Sequence, residues 1–596
     1  MRILVLEDSR SNQVLIKARL EKSGHQVEVV GNGHQGFVLA TSNIYDIVLS
    51  DIGMPHWDGF KFIEAMQVVC PQLPIVIISS SCEDDDVCRR LLGYGNVIDF
   101  LPKPFDFERL YEILARIRVQ THDSMNKMAR IVCTIGPACA TSDILGRMIL
   151  AGMDVARLNF SHGSYEQHAA TLSAIREAEE RWGKPIAVLQ DLCGPKIRTG
   201  VMDGGAVSLR TGSMVVIQAA PCLGSGERFS TILPEIIPDL KNGDPILLDD
   251  GLLELRVVRE GTDEVACDVV AGGLLGSNKG MNLPASKLSL PSITEKDWRD
   301  LDWALDHSVD YVALSFVRSA EDIQAIKEHI RGAGKRDLRV VAKIEKPEAV
   351  NHIREIIEVS DAIMIARGDL GVELPAARVP RIQQEIIRLC WEHNTPVITA
   401  TQMLDSMTGH SRPTRAEVTD VSMAIKEGTD AVMLSQETAT GVDPVNVVRT
   451  MASIICEEER YSSLTVEQYQ QLIHDSTAHP ALTAVASLNG NTATLLLDPA
   501  GRLYPQLSKW NRKVPSLLVT RSLHVARHAS LYKNITSLII REDLDTEAMI
   551  DKAMRLAMEW GYVKSGDILA VVEGERNTEG GLDQIGLLQL IRVPGD

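Results

Sequence analysis

The stretch from Val340 to Pro375, VVAKIEKPEAVNHIREIIEVSDAIMIARGDLGVELP, constrains the fold of this chain more than any other. It opens in a β-branched apolar run, Arg339 to Glu345, too short for a helix and closing on charge. Glu348 to Val359 then carries apolar residues at helical spacing, and a second apolar run, Ala362 to Ala366, ends in Arg367-Gly368-Asp369. Strand, helix and strand within roughly thirty residues predict a parallel βαβ unit. Lys343, Glu345 and Asp369 all fall at the C-terminal ends of its strands, the edge where parallel α/β sheets and barrels keep their active sites. A cation beside two carboxylates there points to a divalent metal next to an anionic substrate. The competing reading is a structural ion pair that caps two strands.

At 596 residues the chain exceeds a single core and predicts about three to five domains. A composition 45% hydrophobic and 24% charged fits a globular protein in water. The net charge of −19 excludes sequence-independent nucleic-acid binding, which needs a basic face. The N-terminus, MRILVLEDSR, lacks the flanks of a signal peptide, and no run approaches the ~18 apolar residues of a membrane span. The ten cysteines form no CxxC pair and read as reduced thiols. The expectation is a cytoplasmic protein with neither nucleic acid nor membrane as partner.

Residues 1–121 alternate strands with helical patterns, which predicts a doubly wound α/β domain with five of each. The expected strands are Ile3–Leu6, Val27–Val30, Ile47–Leu49, Ile75–Ile78 and Val97–Leu101. Glu7 and Asp8 follow the first strand, Asp51 the third, Ser79 closes the fourth, and Lys103-Pro104 follows the fifth. Carboxylates gathered at one sheet edge repel unless a divalent cation lies between them, and oxygen ligands suit Mg²⁺. Gly31-Asn-Gly33-His-Gln-Gly36 matches a dinucleotide-binding fingerprint literally, but it follows the second strand instead of the first and reads as a decoy.

This segment resembles a response-regulator receiver domain. The resemblance implies that Asp51 accepts a phosphoryl group and that Glu7, Asp8 and Asp51 hold Mg²⁺. It makes Lys103 the partner of that phosphoryl group, Ser79 the hydroxyl that follows it and Phe100 the switch aromatic, with a cis Lys103-Pro104 peptide. A receiver fold kept only as an interaction module is the alternative.

Residues 122–128 read as a polar linker. Beyond it, apolar runs recur at Ile131–Ile135, Val155–Asn159, Ile186–Leu192, Tyr311–Phe316, Val340–Ile344, Ile363–Ala366, Pro396–Thr401 and Ala431–Leu434. Eight strands with intervening helices predict a (β/α)₈ barrel over 129–193 and 292–464. The long interval after the third strand is rich in Gly and short β-branched segments, so residues 194–291 are expected to form an inserted all-β lid over the catalytic face. Arg157, Lys196, Arg198 and Lys343 converge on one mouth in an acidic chain. A cationic, metal-binding mouth without an obvious nucleophile fits phosphoryl transfer, and no GxxxxGK[ST] is present.

The motifs ARIVCTIGPA, MDVARLNFSHGSYEQH, DLCGPKIRTG, KGMNLP, VVAKIEKPEAV, IARGDLGVELP, ATQMLDSM and RPTRAEVTDVSMAI resemble pyruvate kinase and run in family order. The resemblance implies transfer of the phosphoryl group of phosphoenolpyruvate to ADP, giving pyruvate and ATP. It assigns Lys343, Arg157 and Thr401 to catalysis and Glu345 and Asp369 to Mg²⁺ (or Mn²⁺). Gly368 and Thr401 would hold the acid, and Arg157, Asn159, His162, Arg198 and Lys279 the nucleotide. Members of the family are commonly tetrameric, so the resemblance implies a homo-oligomer. The alternative is a catalytically weak barrel used as a phosphoenolpyruvate-sensing output module of a two-component system, charged by a sensor histidine kinase or a small phosphodonor.

Some residues depart from the family pattern. Asn159, Ser161 and Asp191 match its K⁺ ligands, yet Lys196 stands where K⁺-requiring members carry glutamate and Leu192 where they usually carry threonine. An ammonium tethered beside Asp191 would supply the charge of a bound K⁺, so K⁺ is not expected to be required. Gln436, where the family usually has glycine, bears on the barrel rim. Residues 465–596 are expected to form a C-terminal α/β domain with strands Thr494–Leu497, Ser516–Val519, Ser537–Ile540 and Ile568–Val572. Its Asp498 replaces a hydroxyl-rich phosphate loop and argues against a sugar-phosphate effector, while Arg502 and Lys509 leave room for another anion.

Overall fold

The computed structural model describes residues 1–42, 45–55, 57–69, 73–79, 96–104, 107–111, 113–114, 127–286, 288–335, 337–461, 492–499, 501–510, 514–560, 562–575 and 584–594. The chain divides into two compact units, Met1–His122 and Asp123–Asp596.

In the first unit, strands Arg2–Leu6, Gln26–Val30, Ile47–Asp51, Ile75–Ser79 and Val97–Pro102 form a parallel sheet in the spatial order 2-1-3-4-5. Alternate residues of the first strand face opposite layers. Ile3 and Val5 pack with Ile16 and Leu20, and Leu4 and Leu6 with Phe62 and Met66. Helices Arg10–Lys22, Gly33–Ser42 and Gly59–Val69 cover these faces. The remainder of the expected alternation at 80–95, and most of the expected linker, lie outside the described residues. The decoy glycines have a packing role: a Cβ on Gly36 would lie 2.5 Å from the Leu6 side chain, and one on Gly33 would lie 2.8 Å from the Trp57 carbonyl oxygen.

In the second unit, eight parallel strands close into a barrel: Arg130–Thr134, Val155–Asn159, Ala187–Asp191, Tyr311–Leu314, Arg339–Ile344, Ala362–Ala366, Val397–Ala400 and Ala431–Leu434. The two-residue strand period separates its cores. Val340, Ala342 and Ile344 face the surrounding helices, whereas Val341 faces inward with Val132, Val155, Leu189, Ala313 and Met364. The inward cluster continues into Tyr504, Leu507 and Tyr532, so the C-terminal domain closes the bottom of the barrel. Among the strands that end earlier than expected are the fourth, at Leu314, and the seventh, at Ala400. Phe316 and Thr401 just beyond them adopt positive φ, which breaks an extended run.

Between the third and fourth barrel strands lie an antiparallel-rich six-stranded sheet and a two-stranded ribbon, all within Ala206–Asn282. They enclose their own core around Val215, Ile217, Phe229, Leu255 and Val265. The C-terminal sheet has four parallel strands, Ala493–Leu497, Ser516–Thr520, Ile535–Ile539 and Ile568–Glu575, and an antiparallel edge strand, Gln584–Arg592, that the sequence reading missed. Residues 462–491 lie outside the described residues. No helix among the described residues is long and apolar enough to cross a membrane.

Candidate active site

Strand parity builds the mouth of the barrel. Since Val155, Leu189 and Val341 point inward, so do Arg157, Asp191 and Lys343 two residues further along each strand. Lys343 Nζ lies 3.2 Å from Asp191 Oδ1 and 2.9 Å from Glu345 Oε1. It also donates to Ser315 Oγ at 2.7 Å. Arg157 approaches the other oxygen of Asp191 from Nε at 2.7 Å and donates from Nη1 to Thr134 Oγ1 at 2.8 Å. Sequence reasoning missed Ser315 and Thr134, although the same parity places both inward.

Burial favours a neutral Lys343, but Asp191 and Glu345 outweigh it and hold the ammonium above the ordinary lysine value. Asp191 is buried, which disfavours its charge, yet Lys343 and Arg157 keep it below the usual carboxylate range. Glu345 Oε2 accepts the Phe316 N–H at 2.8 Å.

Asp369 follows the sixth strand in the short helix Arg367–Glu373. It opens onto a cavity of about 330 Å³ also lined by Lys196, Arg198, Lys279 and Glu373. Enclosure by protein and the nearby Glu345 carboxylate push it up to about 6. Its carboxylate has no hydrogen-bond or ion-pair partner among the described residues. Two mutually repelling oxygen ligands at one rim fit a hard divalent cation, which would relieve that repulsion.

Gly368 N–H donates to Thr401 Oγ1 at 2.7 Å, and the same hydroxyl donates to the Ala400 carbonyl at 2.6 Å. Thr401 and Gln402 are consecutive left-handed residues with φ of 72° and 55°. For a β-branched threonine this conformation costs of order 1–3 kcal/mol and persists only where neighbours enforce it.

The expected nucleotide residues lie around the inserted domain. Arg198 Nη1 donates to the Asn278 carbonyl at 2.9 Å, and Lys279 Nζ sits 2.8 Å from Asp249 Oδ1. His162 shares a second cavity of about 640 Å³ with Ser161, Lys196 and Arg198. Partial burial and the cations Lys196, Arg198 and Arg157 hold His162 below the ordinary imidazole value. Asn159 Oδ1 accepts the Ser161 N–H at 3.1 Å.

Lys196 does not pair with Asp191 as expected: the carboxylate is taken by Arg157 and Lys343, and Lys196 Nζ reaches Ser161 Oγ at 3.0 Å. Gln436 begins a short helix, Gln436–Ala439, with its side chain exposed, so it does not crowd the rim.

In the receiver-like unit, ligand atoms of Glu7, Asp8 and Asp51 lie within 4.8 Å of one another. Lys103 Nζ stands 2.7 Å from Glu7 Oε2 and 2.6 Å from Asp51 Oδ2, and the Lys103-Pro104 peptide is cis. Burial disfavours the Lys103 charge, but the two carboxylates hold it above the ordinary value. Ser79 is buried at the same strand edge, and Phe100 is half-buried against the apolar layer of Leu4 and Leu6.

In the C-terminal domain, Asp498 accepts the N–H groups of Arg502 (2.9 Å), Leu503 (2.7 Å) and Tyr504 (3.0 Å). An internal carboxylate thus takes the backbone donors that an anion would use. Arg502 is exposed, and the Lys509 side chain lies outside the described residues.

Residues 126–448 match the family model described as pyruvate kinase, barrel domain, and residues 475–587 the pyruvate kinase alpha/beta domain. Residues 3–115 match the response regulator receiver domain. The chain is 42% identical over 459 residues to the pyruvate kinase of Geobacillus stearothermophilus, spanning 76% of this chain and 78% of that one. It is 39% identical over 477 residues to that of Staphylococcus saprophyticus subsp. saprophyticus, spanning 78% and 80%. A crystal structure of a pyruvate kinase from Cryptosporidium parvum superposes with a TM-score of 0.73 at 32% identity, covering 79% of this chain and 97% of that one.

Proposed function

The chain belongs to the pyruvate kinase family and is an enzyme of that activity, and from this premise we propose that its barrel mouth transfers the phosphoryl group of phosphoenolpyruvate to ADP and protonates the resulting enolate to pyruvate. The observation that carries the assignment of residues is the Lys343 ammonium, fixed between Asp191 and Glu345 at the end of the fifth strand.

Lys343 offers a charge to the transferring phosphoryl oxygens without having to reorganise, because its partners already hold it in place. Arg157, oriented by Asp191 and Thr134, faces the phosphates of both substrates. Gly368 N–H and the Thr401 hydroxyl, now each other's partners, hold the substrate carboxylate. Thr401 also serves the protonation step. Asn159, His162, Arg198 and Lys279 receive the nucleotide phosphates. Glu345 and Asp369 would hold Mg²⁺ or Mn²⁺, which when bound supplies Lewis acidity toward phosphoryl oxygens. Pyruvate formation from phosphoenolpyruvate, ADP and Mg²⁺, with Lys343→Ala as control, tests this reading. Binding of phosphoenolpyruvate without turnover would instead favour the sensing module.

The same reading extends to the monovalent ion. Lys196 holds Ser161, one of the expected K⁺ ligands, so a fixed ammonium stands among groups that would otherwise surround K⁺. Activity is therefore expected to be equal in K⁺ and in a bulky organic cation, and strong stimulation by K⁺ would reject the idea. The intact Asp51–Lys103 constellation supports control by aspartyl phosphorylation, from a sensor histidine kinase or a small phosphodonor. A cytoplasmic homotetramer completes the proposal; light scattering of the purified protein tests the tetramer.

A further inference from the structure

Arg367 lies beside Gly368, yet its guanidinium turns away from the mouth and toward the backbone of the seventh-strand loop. Nη2 donates to the Thr401 carbonyl at 2.9 Å, and Nε to the Ala400 carbonyl at 3.3 Å. The rest of the group is gripped by Asp420, with Nη1 to Oδ1 at 2.6 Å and Nη2 to Oδ2 at 2.7 Å, and by Gln383 Oε1 at 3.5 Å. Asp420 belongs to the helix Arg415–Glu427 and Gln383 to the helix Val379–Glu392. The guanidinium thereby ties two outer helices to the two carbonyls that flank the turn into the left-handed pair Thr401 and Gln402. A bidentate carboxylate fixes the plane of a guanidinium, and a lysine cannot reproduce that fork.

We propose that Arg367 is a positioning residue that acts through Thr401. By holding the Thr401 carbonyl it keeps the strained backbone turned so that the hydroxyl meets Gly368 N–H, the pair that receives the substrate carboxylate. Asp420 acts on Thr401 only by way of Arg367. This inference rests on the role assigned to Thr401 above. The guanidinium bonds neither Glu345 nor Asp369 and none of the residues assigned to the nucleotide.

The test is a double-mutant cycle on the full-length enzyme with phosphoenolpyruvate, ADP and Mg²⁺. Thr401→Ala is measured first; if it leaves kcat/KM for phosphoenolpyruvate at the wild-type value, the role of Thr401 is wrong and the inference falls with it. With Thr401→Ala impaired, Arg367→Lys is expected to lower kcat/KM for phosphoenolpyruvate by at least tenfold while KM for ADP stays within twofold. It is also expected to slow solvent-deuterium exchange into the methyl group of pyruvate. In the Thr401→Ala background the same Arg367→Lys change should have less than a threefold further effect. Losses that multiply, an equal rise in KM for ADP, or no loss in the single variant would each overturn the proposal. Should Arg367→Lys fail to fold, Asp420→Asn carries the same cycle. It is expected to show the same pattern at smaller size, and multiplicative losses there would overturn the proposal equally.

Discussion

Lys343 is a cation with two acid partners, and removing it leaves a carboxylate excess inside the barrel. Arg157 still neutralises Asp191, but among the described residues Glu345 retains only the Phe316 N–H. Lys343→Ala is expected to lower kcat by about 10²–10³-fold or more, the usual loss for one preorganised electrostatic group. It should also reduce stability by about 3–5 kcal/mol, as when one partner of a buried pair is deleted. Steady-state kinetics and urea unfolding separate the two effects. The pH dependence follows from the direction of the shift. The folded-state value of Lys343 is raised, so its stabilising charge is complete below the unfolded lysine value near ~10.4 and is lost only as pH climbs through the higher folded value. A kcat profile between about pH 6 and 9 should then contain no limb belonging to Lys343, and an alkaline fall inside that window, absent from Lys343→Arg, would contradict the geometry.

At the scale of elements, the inserted domain is held by both of its connections. On the outgoing side, Asp297 caps the helix Glu295–Asp306 by accepting from Thr294 N–H and Oγ1, and also accepts the Gly194 N–H at 3.0 Å. On the returning side, Arg318 donates to the carbonyls of Leu288 (3.0 Å) and Leu290 (2.9 Å) and to Ser292 Oγ (2.9 Å). Asp297→Ala loses a cap and strands a buried N–H, so it should cost about 2–4 kcal/mol in urea unfolding. Arg318→Ala should leave barrel stability nearly unchanged but raise KM for ADP several-fold, because a looser connection aligns Arg198 and Lys279 less well. In the C-terminal domain, Asp498→Ala frees three backbone donors at the start of the helix Tyr504–Trp510. Sugar phosphates should leave the wild type unaffected and alter the kinetics of this variant only. The eight barrel strands were legible because their apolar runs are short, β-branched and evenly spaced. The convergence of Arg157 and Lys343 was legible because both fall at the C-terminal ends of barrel strands. Neither property reports on Arg367 and Asp420, which meet across 53 positions with no periodicity between them. Nor do they announce positive φ at Phe316 and Thr401, since neither residue is the glycine that usually marks it. The edge strand Gln584–Arg592 was overlooked because the reading followed the parallel β–α alternation, which an antiparallel return breaks.

At the scale of the whole chain, a receiver site and a catalytic barrel share one polypeptide, and their coupling is a question of differential free energy. Phosphorylation of Asp51 would place a dianionic group next to Lys103, which now bonds both Asp51 and Glu7. Redistribution of that ammonium, with Ser79 buried at the same sheet edge, would then give the receiver two states to choose between. Activity changes only if those states contact the kinase body differently, and a tenfold shift needs a difference of about 1.4 kcal/mol. Acetyl phosphate with Mg²⁺ is expected to change kcat/KM for phosphoenolpyruvate at least twofold in the wild type and not at all in Asp51→Ala. Protein lacking residues 1–122 should likewise be indifferent to the phosphodonor. Identical kinetics in all three would remove the coupling while leaving the barrel chemistry intact, because no barrel residue argued for catalysis lies within the receiver unit.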